Sequence, residues 1–156
     1  MTTKQQKAFL DLIAWSEGTS TSKWTKDRGY DIVVDGIDSP HTFTDYSAHP
    51  GITVHVKGSL YSTAAGRYQT LKRFAVTYIR NMQLPDFGPD SQDKIALQQI
   101  RECRAIDLIE SGNIQSAIFA CNRIWASLPG SEYGQPTHDI AECLDKFKEF
   151  GGTVTE

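Results

Sequence analysis

The sequence predicts one α+β domain, mainly helical, with a small β-lobe at about residues 18–62. Three observations lead there. Apolar residues recur at helical spacing before residue 18 and again beyond residue 62. Between Gly18 and Ser62 the chain turns to Ser, Thr, Gly and Asp, with short β-branched runs set off by turn signals. No repeat, low-complexity tract or linker divides the 156 residues, a length that buries a real core without disulfide staples.

Thr3-Lys4-Gln5-Gln6 reads as a capping box, so the first helix runs from about Lys4 to about Glu17. Along it Phe9, Leu12, Ile13, Ser16 and Glu17 follow the i, i+3, i+4, i+7, i+8 spacing, which ends the core-facing stripe on a carboxylate. Gly18 stops the helix and leaves space beside that group. Asp31-Ile32-Val33-Val34 and Ile52-Thr53-Val54-His55-Val56 read as strands, Asp35-Gly36 as a turn and Thr42-Phe43-Thr44 as a return strand. Ser62 to Gln69 leads into a second helix with Tyr68, Leu71, Ala75, Tyr78, Ile79 and Met82 on its stripe. Pro85 and Gly88-Pro89 break the chain, Asp90 or Ser91 caps a helix from Ile95 to Cys103, and a shorter one covers Ala105 to Glu110. Asn113 caps a segment whose Ile114, Ala117, Ile118, Cys121, Trp125 and Leu128 share one face. After a loop with Tyr133 at its tip, Thr137 or the preceding turn starts a last helix through Ile140, Leu144 and Phe147, stopped by Gly151-Gly152.

The formal charge of −3 and pI near 5.8 argue against nucleic acid as the main partner and favour a neutral polymer or a small molecule. Cys103, Cys121 and Cys143 are an odd number on helical patterns, which suits reduced, half-buried thiols made in the cytosol. There is no signal-peptide pattern and no apolar run long enough to span a bilayer, so stable membrane association is not expected.

A carboxyl pressed against apolar groups prefers its protonated form, which suits Glu17 to general acid work. A terminal Glu that turns out to solvent is the alternative. Glycoside hydrolysis normally adds a second carboxylate. Asp31, Asp35, Asp38 and Asp45 lie in the β-lobe; Asp35 and Asp38 suit turn roles, and Asp45 is the better candidate, with an Asx-type cap against it. His41, His49, His55 and His138 lack metal-ligand spacing, and no nucleophile elbow or phosphate loop is present, so neither metal nor other cofactor is expected. Tyr46, Tyr68, Gln69, Tyr133 and Gln135 are the residue types a saccharide site uses, with Tyr68 equally suited to the core.

Ala8-Phe9-Leu10-Asp11, Ala14-Trp15-Ser16-Glu17-Gly18-Thr19, Phe43-Thr44-Asp45-Tyr46-Ser47 with His49-Pro50, Ala65-Gly66-Arg67-Tyr68-Gln69, Ala96-Leu97-Gln98-Gln99-Ile100 and Ile124-Trp125-Ala126-Ser127-Leu128-Pro129-Gly130 together resemble the lambda-type phage endolysins, in the same order over nearly the whole chain. The resemblance implies a lysozyme-like fold, with the active-site cleft between a helical lobe and the β-lobe. It implies lytic transglycosylase action on peptidoglycan glycan strands, causing host lysis, with Glu17 of Ser-Glu-Gly-Thr as the single catalytic carboxylate. It also implies a mobile lower lip at about residues 49–60 and an upper lip at about residues 127–138. The expected protein is a monomer, made in the host cytoplasm and released by a holin to the periplasmic wall. A hydrolytic muramidase using Asp45 and a non-catalytic glycan-binding protein are the alternatives. Asp38-Ser39-Pro40-His41-Thr42 resembles a longer hairpin tip than that of the phage lambda member, and Ala48 replaces an acidic residue there.

Overall fold

A computed structural model describes residues 1–131 and 138–156. Its described residues form six helices and a two-stranded antiparallel sheet, an α+β architecture. The elements are α1 (Lys4–Glu17), β1 (Val54–Lys57), β2 (Leu60–Ser62), α2 (Lys72–Met82), α3 (Pro89–Glu102), α4 (Ile106–Glu110), α5 (Ile114–Cys121) and α6 (Ile140–Glu149). They group into two compact units: Met1–Glu17 with Ala96–Glu156, and Gly18–Ile95. No described helix is long and apolar enough to cross a membrane.

In the first unit α1 packs on α4 and α6, and α5 on α4 and α6. The capping box holds α1 at its start: Gln6 N–H donates to Thr3 Oγ1 at 3.1 Å and Thr3 N–H to Gln6 Oε1 at 3.4 Å. Phe9 meets Phe147 edge-on at 6.4 Å, and Leu12, Ile13, Ile109, Ile114, Ile118 and Leu128 are fully buried. Gln5 ties the terminus in, donating to the Ile109 and Thr153 carbonyls and accepting from Thr153 N–H. The three cysteines are free, and Cys121 and Cys143 are wholly buried where half-buried thiols were expected, because they face inward from α5 and α6.

The long stripe from Ile114 to Leu128 is not one helix. α5 ends at Cys121, and turn bonds from Trp125 N–H to Cys121 and from Leu128 N–H to Trp125 keep both apolar residues inside. Asn113 holds the N-cap position of α5, but its side chain makes no cap bond. Its amide donates to Ser111, and the Glu156 carboxylate accepts from Gln115 N–H instead. α6 is capped by Asp139, which accepts from Glu142 N–H at 3.1 Å; Thr137 lies outside the described residues.

In the second unit the core is Val33, Phe43, Val54, Ala65, Ala75, Phe87 and Ile95. Strand β1 pairs with β2 through Val54 and Ser62, and His55 stacks on Tyr61 at 4.7 Å. The expected strands at 31–34 and 42–44 reduce to single bridges, Ile32 with Thr42 and Val33 with Ala65. Pro40, between them, has no N–H to extend a ladder. The second helix begins at Lys72, later than its stripe suggested. Gly66 (φ 86°) and Gln69 (φ 52°) adopt left-handed backbone, and Ala65 and Thr70 exchange both main-chain bonds, closing a tight loop ahead of α2. α3 starts earlier than expected, with Pro89 at its first position and Asp86 accepting from Gly88 N–H and the Ser91 hydroxyl.

Candidate active site

Glu17 is the last residue of α1, where Gly18 turns the backbone left-handed at φ 78°. Among the described residues nothing lies within 4 Å of the position a Gly18 Cβ would take, so they leave open space at the end of the helix. The side chain is half-buried and does not swing out to solvent. Burial raises the carboxyl above its ordinary value, against a smaller lowering by the Ser127 hydroxyl, which donates to Oε2. Ser127 Oγ also lies 2.7 Å from Ser16 Oγ, and both serines are buried. His138 pins this corner. Its N–H donates to the Ser127 carbonyl, its Nε2 is 3.3 Å from the Ser16 carbonyl, and its ring lies over Trp15 at 4.1 Å. A carboxyl with raised proton affinity, fixed at a helix end beside free space, can deliver a proton and take one back.

An endolysin family model matches residues 7–154. The chain belongs to the endolysin family. Membership makes it a phage-type, cell-wall-degrading enzyme. Among its relatives, the endolysin of Escherichia phage lambda is 50% identical over 153 residues, covering 97% of this chain and 94% of that one. The endolysin of Escherichia phage P2 is 47% identical over 151 residues, covering 93% and 92%. The structure of bacteriophage lambda lysozyme complexed with a chitohexasaccharide superposes with a TM-score of 0.94 at 49% identity, covering 99% of each chain. A second structure of lysozyme from bacteriophage lambda gives 0.90 at 47% identity and the same coverage. The fold is therefore lysozyme-like.

In this endolysin the other sequence-predicted residues have varied surroundings. Tyr68 is 2% exposed, donates to Asp93 at 2.6 Å and accepts from Arg67. Burial pushes its phenol far up. The loop before α2 put it there, not the helical stripe that sequence spacing suggested. Tyr46 is half-buried, packs edge-on against Phe43 and donates to Asp27 at 2.7 Å; burial, then that bond, raises its phenol. Gln69, half-buried, donates its amide to the Gly66 carbonyl at 3.0 Å within the same loop. Tyr133 and Gln135 lie outside the described residues.

Among the acidic candidates, Asp31 is buried and accepts from the Thr25 hydroxyl and Lys26 N–H. Asp38 accepts from His55 N–H at 2.8 Å, and Asp35 stays exposed. Asp45 forms the expected Asx turn, accepting from Ser47 N–H at 2.8 Å, and its bonds to Ser47 hold it below the usual carboxylate range. Sequence reasoning missed Ser127 as the partner of Glu17. The one available signal was a hydroxyl between Trp125 and Leu128, two residues of the apolar stripe.

Proposed function

We propose that this endolysin is a lytic transglycosylase that cuts the β-1,4 bond between N-acetylmuramic acid and N-acetylglucosamine and leaves a 1,6-anhydromuramic end. The observation that carries the reading is Glu17, whose carboxyl is pushed toward its protonated form by burial at the end of α1. Protonated Glu17 gives its hydrogen to the glycosidic oxygen as the C1–O bond breaks toward an oxocarbenium-like state. The carboxylate left behind takes the proton of the muramic C6 hydroxyl, and that oxygen closes on C1. One group serves as acid and then base, and water is not consumed. Because the nucleophile already belongs to the sugar, ring closure needs no second molecule to be captured.

A glycan substrate is supported by the relative solved with a chitohexasaccharide. Gln69, with Tyr133 and Gln135, contacts the sugars. Tyr46 and Tyr68 act by holding the surrounding loops. The protein works as a monomer on the wall after release through a phage-encoded membrane hole.

Mass spectrometry of digested peptidoglycan tests the chemistry. Anhydro ends, lighter by one water than reducing ends, are expected, and Glu17→Gln should abolish both digestion and lysis of permeabilised Gram-negative cells. Reducing ends would instead assign a hydrolase with a second carboxylate such as Asp45. A wild-type protein that binds glycan without cutting it would leave only a binding role.

A further inference from the structure

We infer that Ser127 and Ser16 form a two-hydroxyl relay behind Glu17, positioning its carboxyl when it rests protonated and when it is ionised by reversing the direction of their hydrogen bonds. The inference rests on Glu17 acting first as acid and then as base. Ser127 Oγ touches Glu17 Oε2 on one side and Ser16 Oγ, at 2.7 Å, on the other. A serine hydroxyl carries one hydrogen and can accept as well as donate. When Glu17 is ionised, Ser127 donates to the carboxylate and Ser16 donates to Ser127. When Glu17 rests protonated on Oε2, its O–H donates to Ser127, and Ser127 donates to Ser16. For transfer to the sugar the hydrogen sits on Oε1, and Ser127 then donates to Oε2. No proton leaves the chain and no bond is made or broken; two hydroxyl hydrogens turn.

A hydroxyl partner differs from the alternatives. A guanidinium or a backbone N–H can only donate, so it would favour the carboxylate alone and drain the acid of its proton. The exposures of Ser127 (8%) and Ser16 (6%) keep bulk water from taking over the second bond. Backbones on both sides are fixed through His138, which bonds the Ser127 and Ser16 carbonyls. Among the described residues, the titratable groups facing this end of α1 from α6 and the segment before it are His138, 3.3 Å from Glu142, and Lys146, over the Trp15 ring at 5.7 Å. From α4, Glu110 bonds Thr3 at the opposite end of α1. Among the described residues Ser127 is the hydrogen-bond partner of the Glu17 carboxyl, so its titration reads the relay.

The test measures kcat and KM on purified glycan strands, and the Glu17 carboxyl titration by carbon NMR, for wild type, Ser127→Ala, Ser127→Thr, Ser16→Ala and Glu17→Gln. Losing a bond to a charged group predicts that Ser127→Ala lowers kcat about 10- to 100-fold with KM little changed. Its Glu17 midpoint moves up, and the alkaline limb of kcat/KM moves with it. Ser127→Thr keeps the hydroxyl and regains most of the rate. In Ser16→Ala the protonated state is penalised more, because Ser127 then has no acceptor for its hydrogen, and the midpoint moves down. Opposite shifts in the two alanine variants support the relay, because loss of packing alone moves neither. Wild-type kcat and midpoint in Ser127→Ala, or shifts of the same sign in both, overturn it. Should Ser127→Ala fail to fold, Ser16→Ala decides: an unmoved midpoint overturns the relay. An active Glu17→Gln overturns the acid–base reading itself, whereas an inactive Glu17→Gln beside unaffected serine variants overturns the relay alone.

Discussion

Tyr68 donates its phenol hydrogen to Asp93 Oδ1 at 2.6 Å, and Tyr30 donates to the same oxygen at 2.9 Å. Burial raises the proton affinity of Asp93 while the two phenols and Arg67 work against it, and burial with the carboxylate beside it pushes Tyr30 up to about 12. Tyr68→Phe leaves the ring in place and removes one donor from a half-buried carboxylate. The expected outcome is a stability loss of about 1.5–3 kcal/mol, read from denaturant unfolding, with KM for glycan unchanged. A large rise in KM at unchanged stability would make Tyr68 a sugar contact after all.

Glu17→Gln should be more stable than wild type at neutral pH while losing activity. The folded chain holds the Glu17 proton more tightly than the unfolded chain, whose glutamate titrates near about 4.3. This contribution is therefore full below that value and is lost as pH rises through the folded value. A glutamine has no such loss and still accepts from Ser127. Thermal midpoints at pH 4 and pH 7 check it: the variant's advantage should appear at pH 7 and shrink at pH 4. Equal midpoints at both pH values would remove the buried-charge account of Glu17.

The helix carrying Glu17 was legible because its information is local: a capping box, an apolar stripe and a stop glycine all lie within Thr3–Gly18. The glutamate's position on the stripe foretold its burial for the same reason. Ser127 was not legible, since its role depends on a contact 110 positions away in sequence. Tyr68 misled because an apolar stripe says that a ring is covered without saying whether helix or loop covers it. The left-handed backbone at Gln69, a residue with no special liking for it, carried no local warning. The strands at 31–34 and 42–44 shrank because β-branched runs signal extended backbone, while pairing is set by partners such as Ala65 that lie far along the chain.

His49 should make stability fall on mild acidification. Its Nδ1 accepts from Gly51 N–H at 3.0 Å, so Nε2 carries the hydrogen that reaches the Thr70 carbonyl at 2.8 Å. Burial, with Lys72 nearby, lowers its proton affinity despite the Thr70 bond. Between the folded value and the ordinary one near about 6.5, the unfolded chain binds a proton that the folded chain refuses. Stability from His49 is thus full above that window and drains as pH falls through it. His49→Gln does not titrate, so its urea midpoint should depend less on pH between 5 and 7 than that of wild type. Parallel pH curves would show that His49 does not set this slope.

Gly66→Ala should destabilise more than its size suggests. The backbone there has φ 86°, and an added Cβ would lie 2.5 Å from Gln92 Oε1 and 3.1 Å from the Phe87 ring. Gln92 cannot simply swing aside. It is 2% exposed, and its amide accepts from Arg67 N–H at 2.9 Å while donating to the Tyr30 and Phe87 carbonyls at 3.1 and 2.9 Å. Left-handed strain and the loss of one of these buried bonds together predict about 2–4 kcal/mol, measured from urea midpoints. Because the Gly66 carbonyl also accepts the Gln69 amide, displacement of this loop should raise KM for glycan in the fraction that stays folded. A Gly66→Ala protein with wild-type stability and KM would mean that the loop has slack which this packing does not allow.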